Sequence, residues 1–168
     1  MNKKLLKVLC KNFNGEIHLS LGMTTRKEEK KIINLFKKYD RLKDLVIYSC
    51  TSGYPVQFKD VCLKEISRLK KSYGNLVKAV GFSGHHLGIA VDLGAFMLGA
   101  ECIERHFTMD RTWKGTDHAA SLEPDGLRKL VRDIDSLAAS FEEKSIEILE
   151  IELNQRNKLK VNQILWEE

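Results

Sequence analysis

The sequence predicts an α/β fold with a parallel sheet, and three observations carry that prediction. Four short apolar runs, Ile17–Leu21, Leu45–Cys50, Val77–Phe82 and Cys102–Phe107, recur at intervals of roughly thirty residues. Each run is followed by a segment with helical period. Polar residues gather just after the runs rather than before them, as they do at the ligand-binding edge of parallel α/β sheets.

The elements follow in order. After the first run comes a helix over Thr25–Tyr39, with Ile32, Ile33, Leu35 and Phe36 as its apolar stripe. Thr24 or Thr25 can cap it, and Glu28 and Glu29 suit the positive end of its dipole. After the second run a helix over Phe58–Tyr73 places Val61, Leu63, Ile66 and Leu69 inward, and Gly74 is a plausible stop. Ile89–Leu98 follows the third run. It is apolar almost all round, which predicts a buried helix. After the fourth run, Pro124–Phe141 starts on a proline whose missing N–H costs nothing at that position. Ser145–Lys160 reads as a further helix without one clean stripe, and Val161–Glu168 carries no assignment. No internal repeat appears beyond the βα rhythm, and no low-complexity segment. The expected organisation is a βα domain over residues 1–141 and a helical tail over 142–168.

Composition bounds the function. The chain has 168 residues, of which 43% are hydrophobic and 30% charged, as in an ordinary globular protein. That length supports one sizeable core, but a complete (β/α)8 barrel usually needs roughly 250 residues. No stretch is apolar enough to span a bilayer, and Met1–Lys11 lacks a signal peptide's apolar region and cleavage site, so a cytoplasmic protein is expected. The net charge of +5 comes largely from lysines mixed with glutamates on helices. That pattern reads as solvated helix faces rather than a nucleic-acid surface, and it also suits a phosphorylated small substrate. Cys10, Cys50, Cys62 and Cys102 form no metal spacing; buried free thiols are expected.

The chemistry-bearing clusters are Ser20-Leu21-Gly22-Met23, Cys50-Thr51-Ser52-Gly53-Tyr54-Pro55, Gly81-Phe82-Ser83-Gly84-His85-His86 and Glu104-Arg105-His106-Phe107. Strand residues alternate faces, so Ser83 and His85 share one face, as do Glu104 and His106. If both faces point the same way, two imidazoles and a carboxylate converge and can hold a divalent metal with open positions. Spacing alone more readily describes two unrelated histidines satisfied by hydrogen bonds. His18 shares a face with Ser20 and reads as interior packing.

The run CTSGYP, followed by GFSGHHLGIAVDLGAFMLGAECIERHFTMDRTWKGTDHAASLEPD, resembles the sialic acid synthases and their pseudaminic and legionaminic acid relatives. That family's pattern is close to STGM, CTSSYP, GYSDHTLG, IEKHFTLDR and GPDHAASLEP, and the likeness runs from about Ile17 to Ile134. It reverses the odds on the histidines. The resemblance implies a TIM-barrel-type (β/α)8 fold, here about half a barrel, holding the fifth to eighth strands without the first four or the family's small C-terminal antifreeze-like domain. It implies a transferase, an N-acetylneuraminate synthase-like enzyme that condenses phosphoenolpyruvate with an N-acetylated amino sugar such as N-acetylmannosamine, using manganese or magnesium.

By the same resemblance, His85 and His106 hold the metal. Ser20, Ser52 and Ser83 lie near the phosphoenolpyruvate anions, Asp117 meets the amino sugar, and Tyr54 and Glu104 occupy matched site positions, with Glu104 and Asp117 as the catalytic carboxylates. Three departures stand out. SDHT appears as Ser83-Gly84-His85-His86, and STGM as Ser20-Leu21-Gly22-Met23. The family's lysine before the fifth strand falls near Gly15 and Glu16, where no lysine stands. Two readings follow: a truncated or split synthase that needs a complementary N-terminal half-barrel or a second copy, or a non-catalytic relative that keeps the scaffold and binds a sugar or sugar phosphate. A different phosphoenolpyruvate-dependent sugar acid synthase is a weaker third, opposed by the HFT and DHAASLEP runs. An open half-barrel would bare Tyr48, Cys50 and Cys102 and have two unpaired edges, so self-association is expected.

Overall fold

The computed structural model describes residues 2–160. The elements run α1 (Lys3–Asn12), β1 (Ile17–Ser20), α2 (Arg26–Lys38), β2 (Leu45–Cys50), α3 (Lys64–Tyr73), β3 (Ala79–Gly84), α4 (Ala90–Met97), β4 (Ile103–Arg105), α5 (Pro124–Ser140) and α6 (Glu150–Leu159). The four strands form one sheet in sequential order, β1-β2-β3-β4, and every pairing is parallel. This is the half-barrel arrangement of consecutive βα units. Two compact units divide the chain, residues 1–134 and 135–168, and α5 begins in the first and ends in the second. No helix among the described residues is long and apolar enough to cross a membrane.

Alternation along the strands sorts side chains onto two faces. Ile17, Leu45, Ile47, Val80 and Phe82 join the main core, with Leu6 and Cys10 of α1, Ile32, Ile33 and Phe36 of α2, Ile66 and Leu69 of α3 and Ala95 of α4. The helices therefore cover that face. The opposite face carries His18, Ser20, Val46, Tyr48, Ala79 and the chemistry-bearing residues.

Local chemistry sets the boundaries. Thr25 caps α2 in a complete capping box with Glu28. The expected helix over Phe58–Tyr73 is broken: a 3-10 turn at Phe58–Asp60 precedes α3, and Cys62 between them sits at φ 55, a left-handed conformation that stops a helix. β3 starts two residues later than expected, at Ala79, although the Lys78 N–H already donates to the Leu45 carbonyl at 2.9 Å. α6 starts at Glu150 rather than Ser145, and the unassigned Val161–Glu168 lies outside the described residues. α1 had no counterpart in the sequence reading. Asn2 caps it, Leu6 and Cys10 face the core, and Arg41 donates to the Cys10 carbonyl in its last turn and to the Phe13 and Gly15 carbonyls beyond it.

Four burial expectations are corrected. α4 buries only Asp92 and Ala95, and Met97 and Leu98 are exposed, because only one side of this apolar helix meets the sheet. Of the four free cysteines only Cys10 is buried; Cys50 and Cys102 are partly exposed and Cys62 is exposed. His18 is half-exposed rather than packed inside, and its Nδ1 meets the Tyr48 hydroxyl at 2.7 Å. Tyr48 is not bared. It is 4% exposed because its ring lies across Gly81, where a Cβ would come within 2.6 Å of it.

Candidate active site

β3 and β4 pair with Ser83 opposite Glu104, so the chain leaves both strands in register toward the same edge. Two residues beyond each member of that pair stand His85 and His106. Their ring centroids are 5.1 Å apart in a T-shaped arrangement. Tyr54, from the loop after β2, completes the cluster, with its ring 4.5 Å from His85 and 5.6 Å from His106. His86 points the other way and is fully buried beside Phe82, as strand alternation requires.

Hydrogen bonding fixes the state of His85. Its Nδ1 lies 3.2 Å from the Thr51 carbonyl, which only accepts, so Nδ1 carries the proton and Nε2 keeps its lone pair. Burial holds the imidazole below its usual pKa; the Thr51 bond opposes this and the neighbouring His106 adds to it. A neutral imidazole with its second nitrogen tied to a carbonyl is the usual preparation of a metal ligand. His106 has no such bond; its Nδ1 lies 3.7 Å from Asp117 Oδ2, close enough for charge attraction but beyond hydrogen-bond reach.

Asp117 reaches this position because the long loop after β4 folds back on itself. Leu122 N–H donates to the His106 carbonyl at 2.8 Å and Thr108 N–H to the Leu122 carbonyl at 2.9 Å, forming an isolated parallel bridge between Phe107 and Leu122. Arg111 ties the loop further by donating to the Ala119 carbonyl and, through its backbone N–H, to Glu123.

The serines are spread along the same edge. Ser83 Oγ donates to Glu104 Oε1 at 2.7 Å, so its proton is already committed to a carboxylate. Ser20 ends β1 and is exposed. Ser52 lies under the β1–α2 loop, where a Cβ at Gly22 would meet its Oγ at 2.5 Å; only glycine allows that approach. Cys50 occupies the middle. Its sulfur is 3.9 Å from His85 Nδ1 and within bonding reach of both Ser83 and Ser52, and burial pushes its thiol pKa up. The structure thus draws His85, His106, Tyr54, Asp117, Ser83 and Glu104 into one neighbourhood and joins Ser52 to it through Cys50. It adds Cys50 as a site residue whose signal was its strand position two residues before Ser52.

Among the described residues no group of three or more histidine, cysteine, aspartate and glutamate side chains is arranged to hold a metal ion. The histidine pair by itself offers two nitrogen donors and would leave an ion's other positions to non-protein ligands. A cleft of about 630 Å³ beside β4, lined by Phe96, Ile103, Phe107 and Leu130, touches this cluster only at His106.

Residues 1–146 match the family described as NeuB family. The chain is 37% identical over 141 residues to the N-acetylneuraminate-9-phosphate synthase of Homo sapiens, which covers 84% of this chain and 38% of that protein. It is 34% identical to the N,N'-diacetyllegionaminic acid synthase of Campylobacter jejuni over 99% of this chain and 52% of that protein. Among solved structures it resembles the N-acetylneuraminic acid (sialic acid) synthetase of Leptospira borgpetersenii in complex with citrate. That likeness has a TM-score of 0.77 and 31% identity over 95% of this chain and 55% of that one. The chain therefore spans between 38% and 55% of the length of these relatives.

Proposed function

The chain belongs to the NeuB family of sialic acid synthases, and from that premise we propose that it carries the metal-holding half of a site that condenses phosphoenolpyruvate with an N-acetylated amino sugar. The observation that carries the reading is the convergence of His85, His106 and Tyr54 at the C-terminal edge of the parallel strands, beside the Ser83–Glu104 pair. That edge is where parallel βα folds place their chemistry.

In this reading His85 and His106 hold a divalent cation, manganese or magnesium, through their lone-pair nitrogens. The cation supplies Lewis acidity to the sugar's aldehyde oxygen. The C3 carbon of phosphoenolpyruvate bonds to the aldehyde carbon, whose oxygen takes up a proton; water adds at C2 and gives up a proton; and the C2–O bond breaks as phosphate leaves with that oxygen. Ser20 and Ser52 donate to the phosphoenolpyruvate anions. Ser83 joins them when its hydroxyl turns from Glu104. Asp117 orients the sugar, and Glu104 is the carboxylate placed to take the proton released by the water that adds at C2. Tyr54, whose ring packs on both imidazoles, lines the substrate side of the site.

β1 and β4 each have one strand neighbour among the described residues, and their outer edges present unpaired N–H and C=O groups. Four further parallel strands, from the same polypeptide or from a complementary one, would close the barrel and complete the site; a second copy is the other candidate. Sedimentation of the chain at micromolar concentration is expected to show association, and a monodisperse 19.3 kDa monomer would refute that expectation. The test of function is phosphate release from phosphoenolpyruvate with manganese and N-acetylmannosamine. Release with the barrel completed supports a synthase. Binding of sugar and metal without release favours a scaffold that only binds.

A further inference from the structure

Directly behind the histidine pair, on the helix-covered face, lies a buried cluster that the proposed chemistry does not use. Arg105 precedes His106, and its side chain is 3% exposed. Its guanidinium donates through Nη1 to the Asp92 carboxylate and to the Gly88 carbonyl at 2.9 Å, and through Nη2 to the His86 carbonyl at 2.7 Å and the Ala120 carbonyl at 3.3 Å. His86 follows His85; its Nε2 lies 3.1 Å from Arg105 Nη1 and 3.3 Å from Asp92 Oδ2. His86 and Asp92 are completely buried. One side chain on β4 therefore gathers the loop after β3, the helix α4 and the loop before α5.

The cluster is poorly designed for stability alone. His86 Nδ1, Asp92 Oδ1 and Arg105 Nε are buried with no hydrogen-bond partner among the described residues. Replacing buried ionic groups by hydrophobic ones is often neutral or stabilising, so stability alone does not account for this cluster. Gly84 makes the space. A Cβ there would come within 2.9 Å of both His86 Cε1 and Phe82 Cε1, and within 3.1 Å of Arg105 Cδ. The departure of Ser83-Gly84-His85-His86 from SDHT is thus one coupled change: losing a side chain at Gly84 admits the His86 ring and the Arg105 stem.

We propose that Arg105, clamped by Asp92 and His86, is a positioning residue that sets the separation of the His85 and His106 rings. Neighbouring strand residues face opposite ways, so tying Arg105 to the residue after His85 locks the ends of β3 and β4 and leaves their front-facing imidazoles at a fixed distance. The inference rests on reading those two histidines as the metal-holding pair.

The test is made on the metal-free full chain by following the through-space NMR cross-peak between the His85 and His106 rings. The native chain should show it. Arg105→Met should lose it and Asp92→Asn should weaken it. Leu69→Ala, a destabilising core change on α3, should leave it intact. A cross-peak retained in folded Arg105→Met overturns the proposal, as does its loss in Leu69→Ala, which would mean that general loosening moves the rings. If Arg105→Met does not fold, an unchanged cross-peak in Asp92→Asn overturns it. Added Mn2+ tests the underlying reading separately. If the native histidine signals are not broadened, the metal assignment fails while the ring comparison still decides the role of Arg105.

Discussion

Replacing Glu29 by glutamine should destabilise the βα unit by about 2 kcal/mol at neutral pH, within the roughly 1.5–3 kcal/mol range of hydrogen bonds to charged groups. The Glu29 side chain is 4% exposed between α2 and α3. It accepts from Arg68 Nη1 at 3.0 Å and Nη2 at 2.8 Å, and from Arg26 Nη1 at 3.3 Å. The cost stays below the roughly 3–5 kcal/mol of breaking a fully buried pair, because the Arg68 side chain is 28% exposed and keeps Glu65 as a partner at 2.8 Å. Burial pushes the Glu29 carboxyl up, but bonds from Arg68 and Tyr73 and the two arginine charges outweigh it and leave the pKa below 4.5. A depressed carboxylate contributes stability that is full above its unfolded value and lost as pH falls through the folded one. Urea unfolding of both proteins at pH 7 and at stepwise lower pH measures this directly. The gap between native and Glu29→Gln chains should narrow as pH drops below 4.5. An equal gap at pH 7 and pH 3 would show that Glu29 acts by shape rather than charge and would refute the reasoning.

Three further outcomes are expected. Mn2+ binding, followed by the electron spin resonance of the free ion, should be abolished by His85→Ala. Asp117→Asn should weaken it by less than the roughly 10- to 100-fold that follows loss of a carboxylate hydrogen-bonded to a ligating histidine, because at 3.7 Å only charge attraction is lost. Gly84→Ala should cost about 1–3 kcal/mol in urea unfolding, since the new methyl meets the His86 ring and the Arg105 stem in a filled space. In an alkaline absorbance titration Tyr48 should ionise near 12, pushed up by burial first and then by Cys102 and Glu104; Tyr48→Phe should remove that step.

Much of this protein was legible before any coordinates, and the reason is locality. Helical period placed α2, α3 and α5 to within a few residues, apart from the break at Cys62, because an amphipathic stripe depends only on neighbours three and four apart. β2 matched its apolar run residue for residue. Strand alternation alone separated His85 from His86, and their opposite orientations follow from it. Family likeness then made a barrel half out of a parallel sheet.

The sequence by itself therefore determined the order of the elements from β1 onward, the parallel sheet and which of the two adjacent histidines after β3 faces forward. Tertiary structure alone decided everything that depends on residues far apart meeting. Asp117 comes to His106 only because the Phe107–Leu122 bridge turns the loop back. Tyr48 is hidden only because residue 81 on the next strand is glycine. α4 looked like a core helix, yet it buries a single charged residue and an alanine, because burial depends on which neighbours surround a helix and not on its own composition. Asp92, His86 and Arg105 carry no local pattern that would join them. Their meeting is set by the register of β3 against β4 and the docking of α4 on both, and no window of sequence contains that information.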